Sequence, residues 1–192
     1  MSSTLNVYLL NLADLTAVVG SADEKLLDQI LTSEPEVLLL GFERDDQDDH
    51  VERNKEALRK ILAGGPFEEE HAAHYGEALQ LICEELAGPG YSGVEFVWWD
   101  EGLPSVVETL ASSMDDEDPF PNAPALAESL SVSEDNGWGH LSAKECIEIL
   151  GHGLEQQLAE DPDYLDGYGE PILVWLRESR TSGKDLIGFW NA

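Results

Sequence analysis

GGPFEEEHAAHYGEALQLICEELAGPG, residues 64–90, is the stretch on which the fold turns. Glycines and a proline stand at both ends, and glycine and proline are the strongest local breakers of regular structure. Between them Ala72, Tyr75, Leu79, Ile82, Cys83 and Leu86 recur at three- and four-residue steps. That spacing lays one apolar stripe along an α-helix, so a core-facing helix is expected from about Phe67 to Ala87, stopped by Gly88-Pro89-Gly90. His74 falls with Glu70, Glu77 and Glu84 on the opposite side, and these residues are expected to be solvated.

Working outward, a helix from about Asp46 to Ala63 precedes this one and is stopped by Gly64-Gly65-Pro66. TLNVYLL (4–10) reads as a strand, followed by a short helix in LADLTAVVG that ends at Gly20. Ser21-x-x-Glu24 has the pattern of a capping box opening a helix over about 22–32. EVLLLGF (36–42) is a short buried segment of either type. Downstream, VEFVWW (94–99) reads as a strand and Pro104 opens a short helix to about Ala111. SSMDDEDPFPN (112–122) reads as a loop, Ala123–Leu130 as a helical turn and SEDNGWGH (133–140) as another loop. Ser142-x-x-Glu145 is a second capping-box pattern and opens a helix that Asp161-Pro162 breaks. Glu170–Ser182 reads as the last long helix, Gly183 as its stop and DLIGFW (185–190) as a closing strand. The expected class is α+β, with helices packed on a small sheet that joins the first and last strands in one domain over 1–192.

The chain of 192 residues carries a formal net charge of −30, with 42% hydrophobic residues. That hydrophobic share is a globular composition, not that of a disordered acidic tail. No apolar run reaches the roughly 18–20 residues a membrane span needs. MSSTLNVYLLNLADL has neither the basic nor the cleavage features of a secretory leader, and Cys83 and Cys146 stand alone, so a reduced cytoplasmic setting is expected. Arg44, Arg53, Lys55, Arg59 and Lys60 are five of the 10 basic residues, and no lysine or arginine follows until Lys144. The interval holds 17 Asp and Glu. Such a field repels phosphate backbones and speeds association with a basic protein. Solubility, or adaptation to a salty cytoplasm, explains the same charge without a partner.

The order of elements, once quoted, is similar to a known pattern. LNVYLLNLADLTAVVGSADEKLL (5–27), GGPFEEEHAAHYGEALQLICEEL (64–86), GWGHLSAKECIEIL (137–150) and WLRESRTSGKDLIGFW (175–190) together resemble the YfbM-like proteins, an uncharacterised bacterial family. The resemblance covers nearly the whole chain and rests on structural motifs. It implies the fold and transfers no catalytic residue. Small acidic families of this kind look like the immunity proteins of toxin systems, an analogy at the level of fold and charge.

Several stretches invite a chemical reading. In GFERDDQDDHVER (41–53) a calcium loop starting at Asp45 would use Asp45, Gln47, Asp49 and Glu56, but His50 stands where the turn wants glycine. Acids at a helix start, with Asp49–Arg53 and Glu56–Lys60 four residues apart, account for the run more simply. Glu68-x-x-His71 has di-iron spacing, yet no second such motif exists, and Glu148-x-x-x-His152 has the wrong spacing. His71, His74 and Glu77 follow one another by threes and form the candidate metal ligands of a metal-dependent hydrolase. The plainer expectation for them is a wet helix face, and no cofactor is required. Ser92 in GYSGV lacks the nucleophile-elbow pattern, and Cys83 and Cys146 lie among aliphatic residues with no cation nearby. Trp98-Trp99-Asp100-Glu101 has carbohydrate-site ingredients without a defined acid pair. Asp115, Asp116, Glu117, Asp118 and Trp138 are the candidate partner-binding residues, with Trp138 read first as a plug in the core. The leading expectation is a non-enzymatic acidic interaction module.

Overall fold

The computed structural model describes residues 2–33, 47–68, 71–88, 92–97, 120, 123–131, 136–154, 156 and 170–191. Four strands, β1 (Ser2–Leu9), β2 (Ser92–Val97), β3 (Asn136–Leu141) and β4 (Leu186–Asn191), form one sheet in the order β2-β1-β4-β3. Every neighbouring pair is antiparallel, with Leu5 opposite Trp190, Tyr8 opposite Ile187 and Trp138 opposite Phe189. The first and last strands pair at its centre, as the sequence implies. Seven helices are described: α1 (Leu12–Val18), α2 (Glu24–Ser33), α3 (Gln47–Ala63), α4 (Ala72–Ala87), α5 (Pro124–Ser131), α6 (Ala143–Gly151) and α7 (Glu170–Ser182). The class is α+β.

Alternation along the strands sends side chains to two cores. Tyr8, Trp138, Ile187 and Phe189 face a core shared with Leu15, Ile30, Leu58, Ile61, Tyr75, Leu79, Ile82 and Leu126 of the helices α1 to α5. Leu5, Val7, Leu141 and Leu186 face the other way, against Cys146 of α6 and Ile172, Trp175 and Leu176 of α7. The sheet is thus covered on both faces. Trp138 is 3% exposed, stacked 5.3 Å from Phe120 and 6.4 Å from Phe189, while Tyr8 meets Phe189 edge-on at 5.8 Å.

Several local expectations needed correction. NGWGHL is a strand and not a loop: the glycines give weak strand propensity, and pairing with β4 supplies what propensity does not. Ala123–Leu130 is a full helix, shifted by one residue. α4 begins at Ala72 and not near Phe67, with His71 as its N-cap. There the Tyr75 hydroxyl accepts from the Glu68 backbone N–H and donates to the Glu68 carboxylate, while Lys60 binds the same carboxylate at 2.7 Å. This clamp holds Glu68 outside the helix.

Helix α2 starts at Glu24, and its cap is Asp23, whose carboxylate accepts from Leu26 N–H. The Ser21 box is displaced because the chain docks on the end of α3: Gly20 and Ala22 N–H donate to the carbonyls of Ile61 and Leu62. Gly64, with φ +81°, lies so near Gly20 that an added Cβ would sit 3.2 Å from the Gly20 Cα. The Ser142–Glu145 box is present in full, with both reciprocal bonds made. Helix α6 stops at Gly151, earlier than the sequence pattern suggests, and Gly153 follows with φ +85°. α7 runs Glu170–Ser182 as expected, and Gly183 N–H bonds to the Ser179 carbonyl.

A polar cluster between α3 and α4 as the candidate functional site

On α3 the residues His50, Asn54, Ala57, Leu58, Ile61 and Leu62 are all buried. Steps of three and four place them on one stripe facing α4. The last four are apolar. The first two are not, and buried polar residues are the informative ones in a core-facing stripe. Across from them α4 offers His74 and Glu77, three residues apart and hence on one helix face.

The four side chains form a network. His50 Nε2 lies 2.8 Å from Glu77 Oε2 and 3.1 Å from Asn54 Nδ2. Asn54 Nδ2 also donates to Glu77 Oε2, and Asn54 Oδ1 lies 2.8 Å from His74 Nδ1. An amide oxygen only accepts, so the His74 contact places its proton on Nδ1. The His50 and His74 rings are 5.0 Å apart at an angle of 56°. His50, His74 and Glu77 each present one ligand atom within 4.8 Å of the others, and they are the group of this kind among the described residues.

Burial is the first cause of the electrostatics here. It pushes the His74 imidazolium down to about 4, with His50, Arg53 and His71 adding repulsion. The same desolvation raises Glu77 above the ordinary carboxylate range, against opposing contributions from His50 and the Asn54 hydrogen bond. His74 is therefore a neutral imidazole with one free lone pair at neutral pH. Imidazole nitrogen and carboxylate oxygen together suit late first-row divalent ions.

Of the sequence candidates, His74 and Glu77 belong to this cluster and are half-buried, not solvated. His71 sits at the α4 N-cap, its ring 6.3 Å from that of His74, outside the ligand group. With Arg53, Glu56, Ala57, Lys60 and Tyr75 it lines a shallow cleft along the same helix pair. The spacing of Glu68 and His71 carries no shared helix face, since Glu68 precedes α4 and is held by Lys60 and Tyr75. His152 caps α6 on the far side of the sheet and does not join His71 and His74. The calcium-loop reading fails because Gln47–Glu56 is helical, while Asp45 lies outside the described residues. Glu56–Lys60 is the surface pair its spacing implies, at 3.3 Å. Cys83 and Cys146 are buried free thiols whose pKa values burial raises, which is the opposite of a reactive cysteine. Asp115, Asp116, Glu117, Asp118 and the segment Trp98–Glu101 lie outside the described residues. Trp138 is enclosed in the core.

Sequence reasoning missed His50 and Asn54 as members of the site. The signal was present: two polar residues four apart, in register with the apolar positions that follow them.

Fold and cluster together define an α+β protein with a His–Asn–His–Glu network in a helix pair. The chain belongs to the domain of unknown function family DUF7691, whose model matches residues 1–191. No curated protein matches the chain. No solved structure matches it.

Among the described residues no helix is long and apolar enough to cross a membrane.

Proposed function

We propose that this chain is a non-enzymatic acidic interaction module that docks on a basic protein. The observation that carries the reading is the charge: −30 overall, with no lysine or arginine between Lys60 and Lys144. A patch of one sign raises encounter rates with the opposite sign and excludes nucleic acid. Asp115, Asp116, Glu117 and Asp118 are the densest part of that interval and the proposed contact. The buried, inert cysteines are in keeping with a role outside thiol chemistry. The likeness to YfbM-like bacterial proteins and the analogy with immunity proteins point to a toxin-like partner in the cytoplasm.

The test is a pull-down with the products of the neighbouring genes at two salt concentrations. A basic partner is expected, held at about 50 mM salt and released near 500 mM, where the Debye length falls below about 5 Å. Neutralising Asp115, Asp116, Glu117 and Asp118 to their amides should weaken it. Absence of any such partner, or binding indifferent to both salt and the amide variant, refutes the reading.

A second reading, a metal-dependent hydrolase, draws on one observation: His50, His74 and Glu77 converge between α3 and α4, the helix pair that also carries the cleft lined by Arg53, Lys60 and His71. These three ligands would leave a bound zinc one open position, at which it would supply an activated water.

A further inference from the structure

We propose that His50, His74 and Glu77 form a binding site for one late first-row divalent ion, with zinc favoured by the donor set. The inference is independent of the docking reading and supplies the metal on which the hydrolase reading rests.

The protons around His50 Nε2 are in conflict. His50 Nε2 has one in-plane position, holding either a hydrogen or a lone pair. It lies 2.8 Å from a carboxylate oxygen, which asks for a hydrogen, and 3.1 Å from an amide NH2, which asks for a lone pair. One nitrogen cannot answer both. With Glu77 ionised, either state of His50 Nε2 leaves one close contact in a half-buried site mismatched, and buried polar contacts of this kind are costly. A cation between His50 Nε2 and Glu77 Oε2 removes the conflict by accepting lone pairs from both.

Geometry agrees. Zinc bonds of about 2.0–2.2 Å at tetrahedral angles put donors about 3.4 Å apart. The cluster spans that value, from 2.8 Å between His50 and Glu77 to an upper bound of 4.8 Å for the set. His74 Nδ1 bonds to Asn54 Oδ1, the kind of hydrogen bond that orients a ligating histidine. Two imidazoles disfavour magnesium and calcium, which want oxygen shells.

The probe is the metal itself, added to the full chain after chelator treatment, in 150 mM salt and a large excess of magnesium to saturate the acidic surface. Expected are one equivalent of Zn2+ with submicromolar Kd, and a Co2+ spectrum with the visible bands of a low-coordinate nitrogen–oxygen site. His50→Ala and Glu77→Gln should each weaken binding more than about 100-fold, beyond the 10–100-fold typical of outer-shell partners. His152→Ala should leave it unchanged. Weak binding of several equivalents, abolished by magnesium and indifferent to His50→Ala and Glu77→Gln, overturns the proposal. Should those variants not fold, the Co2+ spectrum of the unaltered chain decides: octahedral, water-like bands overturn it.

Discussion

Replacing Asp185 by alanine is the sharpest test of how the two helix layers are tied to the sheet. Asp185 immediately precedes β4. Its Oδ2 accepts from Leu12 N–H at 2.9 Å, the first residue of α1, and its Oδ1 accepts from Ala143 N–H at 3.0 Å, the first residue of α6. One carboxylate therefore satisfies orphan donors of two helices on opposite faces of the sheet, at the ends where the helix dipole favours negative charge. Hydrogen bonds to a charged acceptor contribute about 1.5–3 kcal/mol each. Both donors are half-buried and regain some water on truncation, so the low end applies and Asp185→Ala should cost about 3 kcal/mol in total. Asp185→Asn keeps one accepting oxygen and should lose about half of that. Urea unfolding should show the order alanine, asparagine, parent in rising midpoint, with the slope unchanged. Hydrogen exchange should show the Leu12 and Ala143 amides losing protection together. An alanine variant within about 0.5 kcal/mol of the parent, a typical surface effect, would refute the reasoning.

Other outcomes follow from single contacts. Gly64→Ala combines left-handed backbone with a Cβ 3.2 Å from Gly20 and should destabilise more than Gly88→Ala, where φ is +72° but nothing lies within 4 Å; urea midpoints compare them. Trp138→Ala should cost about 3–5 kcal/mol by chemical unfolding, as expected of a buried indole, and a near-neutral result would instead make it a surface anchor. Glu145 is held below its ordinary pKa mainly by the Ser142 hydroxyl, so its contribution is present above the unfolded carboxyl value of 4.5 and is lost as pH falls through the lower folded value. The stability gap between the parent and Glu145→Gln should accordingly shrink on acidification, read as the difference in thermal midpoint. Cys83 and Cys146 should resist a thiol reagent in the folded chain and react fully in denaturant.

Much of the architecture was legible because local chemistry and tertiary need coincide. α7 carries its own start and stop at Glu170 and Gly183, and α6 has a cap that forms as spelled. β3 was not legible, since Gly137 and Gly139 argue for a turn and only the edge of β4 makes them a strand. The Ser21 cap lost to a tertiary constraint, the contact of Gly20 with the end of α3. For the site, helical spacing brought His74 and Glu77 to notice. It also promoted His71, because three-residue steps imply one face only where the helix has already begun. His50 and Asn54 depend on how α3 lies against α4, a register that no short window contains.

The charge and the cluster are separable features. One lies in the acidic interval and is tested by salt; the other lies in the helix pair and is tested by metal. The cluster makes the more specific structural claim, and imidazole nitrogen resonances of the full chain test it most directly. On adding one equivalent of Zn2+, the His50 and His74 ring nitrogens should move by the large shifts of direct coordination, with His140 and His152 unmoved. Equal small shifts at all five histidines, or none at His50 and His74, would contradict the account.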